Sequence, residues 1–136
     1  HGYRLIVISN QSGIGRGYFG AQDVERLHAH MNGILQEHGA AIDAFYYCPH
    51  LEQDGCACRK PQPGLIRRAA AEWGIDLRCS YMVGDNEKDV MTAVNAGCKY
   101  GLVLSGHPVP DTLRQTYRDH LYRNLWDFAR HICEVE

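Results

Sequence analysis

The sequence predicts an α/β fold with a doubly wound, mostly parallel sheet and helices on both faces of that sheet. Short apolar runs rich in β-branched residues, typical of buried parallel strands, alternate along the chain with stretches of helical periodicity. Strands that alternate with helices in this way favour a parallel sheet over an antiparallel one. The 136 residues are enough for one hydrophobic core, so we expect a single domain over residues 1–136.

The individual elements follow from the same patterns. The apolar run at residues 4–8 predicts the first strand. Apolar residues spaced by three and four predict a helix over residues 21–38, and we expect His28, His30 and His38 on it to be exposed to solvent. The later predicted elements are strands at 44–48, 80–83, 100–104 and 120–122, and helices at 63–72, 87–96, 111–118 and 125–132.

Charge, hydropathy and cysteine content limit the classes of function. Fourteen basic and sixteen acidic residues give a formal net charge of −2, which argues against a nucleic-acid surface formed by bulk positive charge. No run reaches the roughly eighteen apolar residues of a membrane span, so we expect no membrane partner. The six cysteines suit a reducing compartment, and we expect a cytoplasmic monomer.

The segment at residues 48–64, the zinc loop, carries four potential metal ligands, Cys48, His50, Cys56 and Cys58. Three thiolates and one imidazole form a tetrahedral zinc set, and a closed set of four leaves no position for water. We therefore expect a structural zinc that stabilises a loop without a core of its own. A disulfide between Cys56 and Cys58 would close a strained, very small ring. The alternative is that these are ordinary reduced cysteines.

A polar loop rich in glycine, residues 10–17, follows the first predicted strand. It lies after a strand and before a helix, where α/β sheets bind ligands, and its N–H groups suit phosphate oxygens. The alternative is that Gly13, Gly15 and Gly17 only form turns. We expect a phosphate site formed by Ser9, the amides of residues 10–12 and Lys60 at adjacent strand ends.

A second polar segment, residues 84–89, follows the strand predicted at 80–83. Asp85 at the carboxyl end of a buried parallel strand would face a hard cation such as Mg²⁺. Asp89 lies one helical turn further on and could orient Asp85 from outside the coordination sphere. The alternative is that Asp85 is the N-cap of the helix at 87–96, and the two roles are compatible.

Residues 9–19, 48–64 and 83–89 together resemble three motifs of the haloacid-dehalogenase-type phosphatases. Within that family the chain is similar to the zinc-loop branch that contains heptose-bisphosphate and histidinol-phosphate phosphatases. The resemblance covers nearly the whole chain in one register and implies a Rossmann-like, HAD-like fold. It also implies hydrolysis of a small phosphorylated metabolite with Mg²⁺ as the catalytic ion and Zn²⁺ as a structural one.

The resemblance implies a role for each residue that matches a family motif. The catalytic residues would be Ser9, which donates to a phosphoryl oxygen, and Lys60, which neutralises the phosphoryl group. Asp85 would ligate Mg²⁺, with Asp89 behind it. The substrate-binding residues would be Asn10, Gln11, Ser12, Arg59 and Asn86.

The family's first motif, Asp-x-Asp-Gly-Thr, supplies the nucleophilic aspartate, and no Asp-x-Asp occurs in these 136 residues. We therefore expect an N-terminally truncated phosphatase domain that lacks the first, central strand of its sheet. That strand would lie between the strands predicted at 4–8 and 80–83. The expected substrate is D-glycero-D-manno-heptose 1,7-bisphosphate, which would lose its 7-phosphate, and the alternative is histidinol phosphate. A non-catalytic pseudoenzyme that binds a phosphometabolite and a zinc-stabilised interaction module remain further alternatives.

Overall fold

A computed structural model describes residues 1–135, which form alternating strands and helices joined by short loops. No helix in this part of the chain combines the length and the apolar character needed to cross a membrane. The strands are β1 (Ile6–Asn10), β2 (Ala44–Cys48), β3 (Tyr81–Gly84), β4 (Lys99–Val103) and β5 (Leu121–Tyr122). The helices are α1 (Ser12–Gly15), α2 (Ala21–Glu37), α3 (Gly64–Trp73), α4 (Glu87–Ala96), α5 (Asp111–Thr116) and α6 (Leu125–Val135).

The strands form two parallel sheets within the described residues. β1 pairs with β2 in a register that sets Ile6 opposite Ala44 and Asn10 opposite Cys48. β3, β4 and β5 form the second sheet in that order, with Gly84 of β3 opposite Leu102 of β4. The α/β class and the parallel pairing are confirmed. β1 and β3 do not pair with each other, as expected if the strand between them is missing.

Each sheet has its own hydrophobic core. In the first core, Tyr46 and Cys48 of β2 pack against Leu65 and Ala69 of α3. In the second, Val90 of α4, Leu102 of β4 and Val109 form a separate cluster. All residues of β1 and of β3 are only partly buried, although their sequences are typical of fully buried strands. The reason is that each of these two strands has a hydrogen-bonded neighbour on one side only among the described residues.

Several predicted boundaries change in the structure. β1 begins two residues later than predicted and includes Ser9 and Asn10, because its pairing with β2 continues to Cys48. The segment at residues 12–15, predicted as loop, forms the short helix α1, in which the N–H of Arg16 donates to the carbonyl of Ser12. α5 ends at Thr116, and residues 118–120 form a 3₁₀ turn instead of its last turn.

His28 on α2 contradicts the expectation of solvent exposure. Its imidazole is stacked on the ring of Phe45 in β2, with centroids 4.2 Å apart, and the residue is only 8% exposed. The apolar stripe of α2 therefore includes this histidine, while Leu27 on the same helix is 52% exposed. Burial lowers the pKa of His28 below its ordinary value of 6.5, and the nearby Glu25 carboxylate offsets part of that effect.

We expect His28 to make folding stability depend on pH. The pKa of His28 is lower in the folded chain than in the unfolded chain, so the unfolded chain binds this proton more tightly. The stabilising effect of neutral His28 is therefore complete at high pH and is lost as the pH falls through about 6.5. Urea unfolding of the His28→Gln protein at pH 7.5 and 5.5 should show a smaller pH dependence than the unsubstituted chain shows. The exposed His30 on the same helix provides the matched control, His30→Gln, which should keep the full dependence.

Candidate anion and metal site

The carboxyl ends of β1 and β2 bring the glycine-rich loop and the zinc loop together. The backbone N–H of Gln11 donates to the carbonyl oxygen of Cys48 at 2.7 Å. One turn further on, the N–H of Gly15 donates to the carbonyl oxygen of Pro49 at 3.1 Å. A Cβ atom at Gly15 would overlap that carbonyl group, so this position accepts only glycine without a backbone shift. The two predicted loops therefore form one continuous surface.

Asn10 connects this surface to Lys60. The Asn10 side chain accepts a hydrogen bond from the Lys60 backbone N–H at 3.0 Å and donates one to the Lys60 carbonyl at 3.4 Å. Such a two-point contact fixes the backbone of Lys60 relative to the end of β1. Both polar atoms of the Asn10 amide, which was predicted to bind substrate, are therefore used to position the backbone of Lys60.

Lys60 extends toward the second sheet and meets Asp89 of α4. Its ammonium Nζ lies 2.6 Å from Oδ1 of Asp89, and the two side chains are only 16% and 8% exposed. The other oxygen of Asp89 accepts from the backbone N–H of Asn86 at 3.2 Å. A Cβ at Gly84 would overlap the Asp89 carboxylate, so glycine at the end of β3 leaves the room for it. A buried ion pair of this kind is costly to break from one side, because the remaining charge is left without a partner.

Asp85 lies between β3 and the loop that follows β4. Its Oδ2 accepts from both the backbone N–H and the ring Nδ1 of His107, each at 2.8 Å. The backbone N–H of His107 lowers the pKa of Asp85 below its usual range, despite partial burial of the carboxylate. Asp85 is therefore ionised near neutral pH and suited to a hard cation. The alternative role of Asp85 as a helix cap is wrong, because Asn86 is the N-cap and accepts from the N–H of Lys88 at 3.0 Å.

The four predicted zinc ligands converge at the end of β2. Their ligand atoms all lie within 4.8 Å of one another. Sγ of Cys48 lies 2.6 Å from Sγ of Cys58 and 3.4 Å from Sγ of Cys56, and Nδ1 of His50 lies 3.3 Å from Sγ of Cys58. The three cysteines of this set form no disulfide in the structure. The cluster is compatible with the tetrahedral zinc site expected from the sequence.

The three thiols differ in acidity because their surroundings differ. Burial raises the pKa of Cys48, and burial together with the two neighbouring thiols raises the pKa of Cys58 to about 12. Burial also opposes ionisation of Cys56, but hydrogen bonds from Cys48 and from the backbone N–H groups of Cys58 and Arg59 lower its pKa to about 6. Three thiolates so close together repel one another. A divalent cation removes that repulsion, and the donor set of soft sulfurs and one imidazole suits zinc.

The other predicted site residues have different local surroundings. Nε2 of Gln11 donates to Oγ of Ser9 at 3.3 Å, so the two side chains form one polar unit at the end of β1. Ser12 is the first residue of α1. Arg59 is partly buried, and its Nη1 atom is buried without a hydrogen-bond partner among the described residues.

Sequence reasoning missed two residues of this region. His107 was not predicted to contact Asp85, because it follows a different strand, and its only signal was its place in the loop after β4. From the sequence no role is assigned to Lys88, which lines a cavity together with Arg59 and Lys60. The signal for Lys88 was its position in the first turn of a helix that begins beside Asp85.

Comparison with known proteins places the chain among phosphatases. A family model described as HAD-hydrolase-like matches residues 57–128. The chain is 44% identical over 109 residues to the D-glycero-β-D-manno-heptose-1,7-bisphosphate 7-phosphatase of Helicobacter pylori strain J99, which covers 79% of this chain and 63% of that enzyme. It therefore spans less than two thirds of the length of that relative. It is 32% identical over 143 residues to the enzyme of the same name from Neisseria meningitidis, which covers 98% of this chain and 73% of that enzyme.

A solved structure extends this similarity to the fold. The D,D-heptose 1,7-bisphosphate phosphatase from B. bronchiseptica, crystallised as a complex with magnesium and phosphate, matches with a TM-score of 0.85 at 32% identity. The match covers 98% of this chain and 75% of that one. Sequence and structure thus agree, and the chain belongs to the HAD-hydrolase-like family.

Proposed function

We propose that the protein to which this chain belongs is a Mg²⁺-dependent phosphatase that hydrolyses the 7-phosphate of D-glycero-β-D-manno-heptose 1,7-bisphosphate. The names of relatives at 32–44% identity support this substrate. The observation that carries the proposal is that Asn10 at the end of β1 binds the backbone of Lys60, whose ammonium pairs with Asp89 in the first turn of α4. The six cysteines form no disulfide in the structure, which suits a reducing compartment, and we propose a cytoplasmic enzyme that acts as a monomer.

In this proposal one residue supplies charge to the phosphoryl group and two others supply hydrogen bonds. The Lys60 ammonium supplies positive charge in a partly buried position, where it interacts with an anion more strongly than it would in water. The Ser9 hydroxyl and the Gln11 amide supply hydrogen bonds to phosphoryl oxygens. Phosphoryl transfer depends mainly on such positioning and charge stabilisation, so this set of donors suits the reaction.

Asp85 is the residue that would hold Mg²⁺, because its ionised carboxylate supplies the hard oxygen ligand that this ion prefers. When bound, Mg²⁺ would neutralise negative charge on the phosphoryl oxygens. His107 keeps one oxygen of Asp85 in a fixed position through two hydrogen bonds. The four ligands of the zinc loop form a closed set, so we assign that metal the structural task of holding Lys60 near Asn10.

We expect replacement of Lys60 by methionine to weaken phosphate binding by about 1.5–3 kcal/mol, the contribution of a hydrogen bond between charged groups. Isothermal titration of inorganic phosphate into the two proteins measures the difference. Equal phosphate affinity in both proteins would reject Lys60 as the phosphate ligand.

The Lys60→Met change also leaves the buried Asp89 carboxylate without its partner, so it is expected to destabilise the fold. The double variant Lys60→Met with Asp89→Asn removes both charges and should recover much of the lost thermal stability. Its phosphate affinity should stay low. Recovery of binding together with stability would mean that the single substitution acted only through folding.

A further inference from the structure

Lys60 lies in a tight turn at residues 59–62, here called the Lys60 turn, within the zinc loop and shortly before α3. The N–H of Gln62 donates to the carbonyl oxygen of Arg59 at 2.8 Å and closes the turn around Lys60 and Pro61. Because proline has no N–H, its carbonyl is the only backbone group through which Pro61 can form a hydrogen bond. The partner of that carbonyl therefore helps to determine where Lys60 lies.

The partner of the Pro61 carbonyl is Asn95, in the last turn of α4. Its side-chain Nδ2 donates to the carbonyl oxygen at 3.0 Å. The backbone carbonyl of Asn95 in turn accepts from Nη2 of Arg67 on α3 at 3.3 Å. Asn95 thus joins the end of α4 to the Lys60 turn and to α3.

This contact gives α4 two points of attachment to Lys60. Asp89 in the first turn of α4 pairs with the ammonium, and Asn95 in the last turn holds the residue that follows Lys60. Because a helix is a rigid element, the two contacts fix the backbone and the ammonium of Lys60 relative to the same body.

We propose that Asn95 is a positioning residue, which holds the Lys60 turn through the Pro61 carbonyl and so keeps the Lys60 ammonium where it meets a phosphoryl group. The inference rests on the proposed function, because it takes Lys60 to be the phosphate ligand. Asn95 acts through Lys60 and contacts no phosphoryl oxygen itself.

The two-sheet arrangement explains why such a contact is needed. Asn10 fixes the Lys60 backbone to β1 in the first sheet, whereas Asp85 follows β3 in the second. β1 and β3 do not pair, so within residues 1–135 no ladder of backbone hydrogen bonds sets one sheet relative to the other. A phosphoryl group bound at Lys60 and at a cation on Asp85 requires a constant distance between them. Asn95 belongs to the helix that directly follows Asp85, so its bond to Pro61 helps to keep that distance.

The test removes the Asn95 donor without disturbing the fold. Asn95 is exposed, and alanine favours a helix more than asparagine does, so Asn95→Ala should unfold in urea at nearly the same concentration as the unsubstituted chain. Titration with inorganic phosphate, followed by ³¹P NMR, should show an affinity lower by about three- to tenfold, the effect of one hydrogen bond. Asn95→Leu keeps the branched shape without the donor and should show the same loss. The matched control is Gln36→Ala, which removes an exposed amide from the last turn of α2 and should leave the affinity unchanged.

Two further measurements show whether Asn95 acts through Lys60. In the Lys60→Met protein, adding Asn95→Ala should lower the phosphate affinity no further. Amide hydrogen exchange of the ligand-free chain gives a result that does not depend on phosphate. The N–H of Gln62 should exchange about tenfold faster in the Asn95→Ala protein, because the Lys60 turn opens more often, while exchange in β4 should not change.

The outcomes separate the inference from the proposed function. If Asn95→Ala or Asn95→Leu keeps the affinity of the unsubstituted chain, or if Asn95→Ala lowers it equally with and without Lys60, the inference is overturned while the phosphate site at Lys60 stands. An unchanged exchange rate at Gln62, or an equal loss of affinity in Gln36→Ala, also overturns it. If the unsubstituted chain binds no phosphate, the proposed function is overturned, and faster exchange at Gln62 in Asn95→Ala would then support the positioning of the turn alone.

Discussion

The Cys56→Ala protein is expected to lose its zinc and, with it, the ordered structure of the zinc loop. The loop between β2 and α3 has one 3₁₀ turn at Glu52–Asp54, and its partly buried apolar residues reach the core mainly through Cys56 and Cys58. Removal of one of four ligands leaves two thiols and an imidazole, which bind zinc far more weakly. We expect the free energy of unfolding to fall by about 4 kcal/mol or more, the range of losses on removing a metal or breaking a buried network.

Three measurements compare the Cys56→Ala protein with the unsubstituted chain. Metal analysis of the purified unsubstituted chain should give one zinc per chain, and the variant should give none. Amide hydrogen exchange should lose protection within residues 48–64 but keep it in α4, which belongs to the other core. Phosphate affinity should fall as well, because Lys60 depends on this loop for its position.

Cys79 provides the matched control, since it is exposed and lies outside the cluster. Cys79→Ala should retain one zinc and full stability. A Cys56→Ala protein that still binds one zinc, or an unsubstituted chain purified without any, would contradict the zinc assignment.

Residues 1–136 alone are expected to release no phosphate from heptose 1,7-bisphosphate in the presence of Mg²⁺. The family resemblance assigns the nucleophile to an Asp-x-Asp motif, and these residues contain none. Asp89, which lies close to Lys60, is held in an ion pair and is not available for attack. Loss of a nucleophile typically lowers the rate by about 10⁴-fold or more.

Fusion of these residues behind the N-terminal segment of the Helicobacter pylori relative should restore the reaction if that segment carries the motif. Phosphate release is measured for both proteins side by side at equal concentration. As a control, replacement of the first aspartate of that motif by asparagine should abolish turnover while leaving phosphate binding at Lys60 intact. Turnover by residues 1–136 alone would show that a nucleophile lies within them and that the motif alignment is wrong.

The zinc cluster and the strand ends could be predicted from sequence because their signals are local. Cysteine and histidine at tight spacing identify a metal set without knowledge of the fold, and all four ligands do converge. The predicted bounds of β2 and α4 are identical to those in the structure. Parallel pairing then implies that the loops after β1 and β2 meet.

Contacts between distant segments could not be predicted in this way. The ion pair of Lys60 with Asp89 joins residues 29 positions apart, and the Asn10 amide binds a backbone 50 positions away. No periodicity in the sequence encodes which side chain fills such a gap. His28 illustrates a related limit, since burial of a histidine depends on the aromatic face of Phe45 that happens to lie opposite it.

Separation of the structure into two cores also has a consequence for how the chain unfolds. Among the described residues, the contacts between the two halves include the ion pair of Lys60 with Asp89, the hydrogen bond from Asn95 to the Pro61 carbonyl and the ring contact of Tyr3 with Tyr81. Each half also buries its own cluster of apolar residues. The two halves should therefore melt as separate cooperative units, with distinct midpoints in denaturant and with salt weakening their coupling more than their individual stabilities.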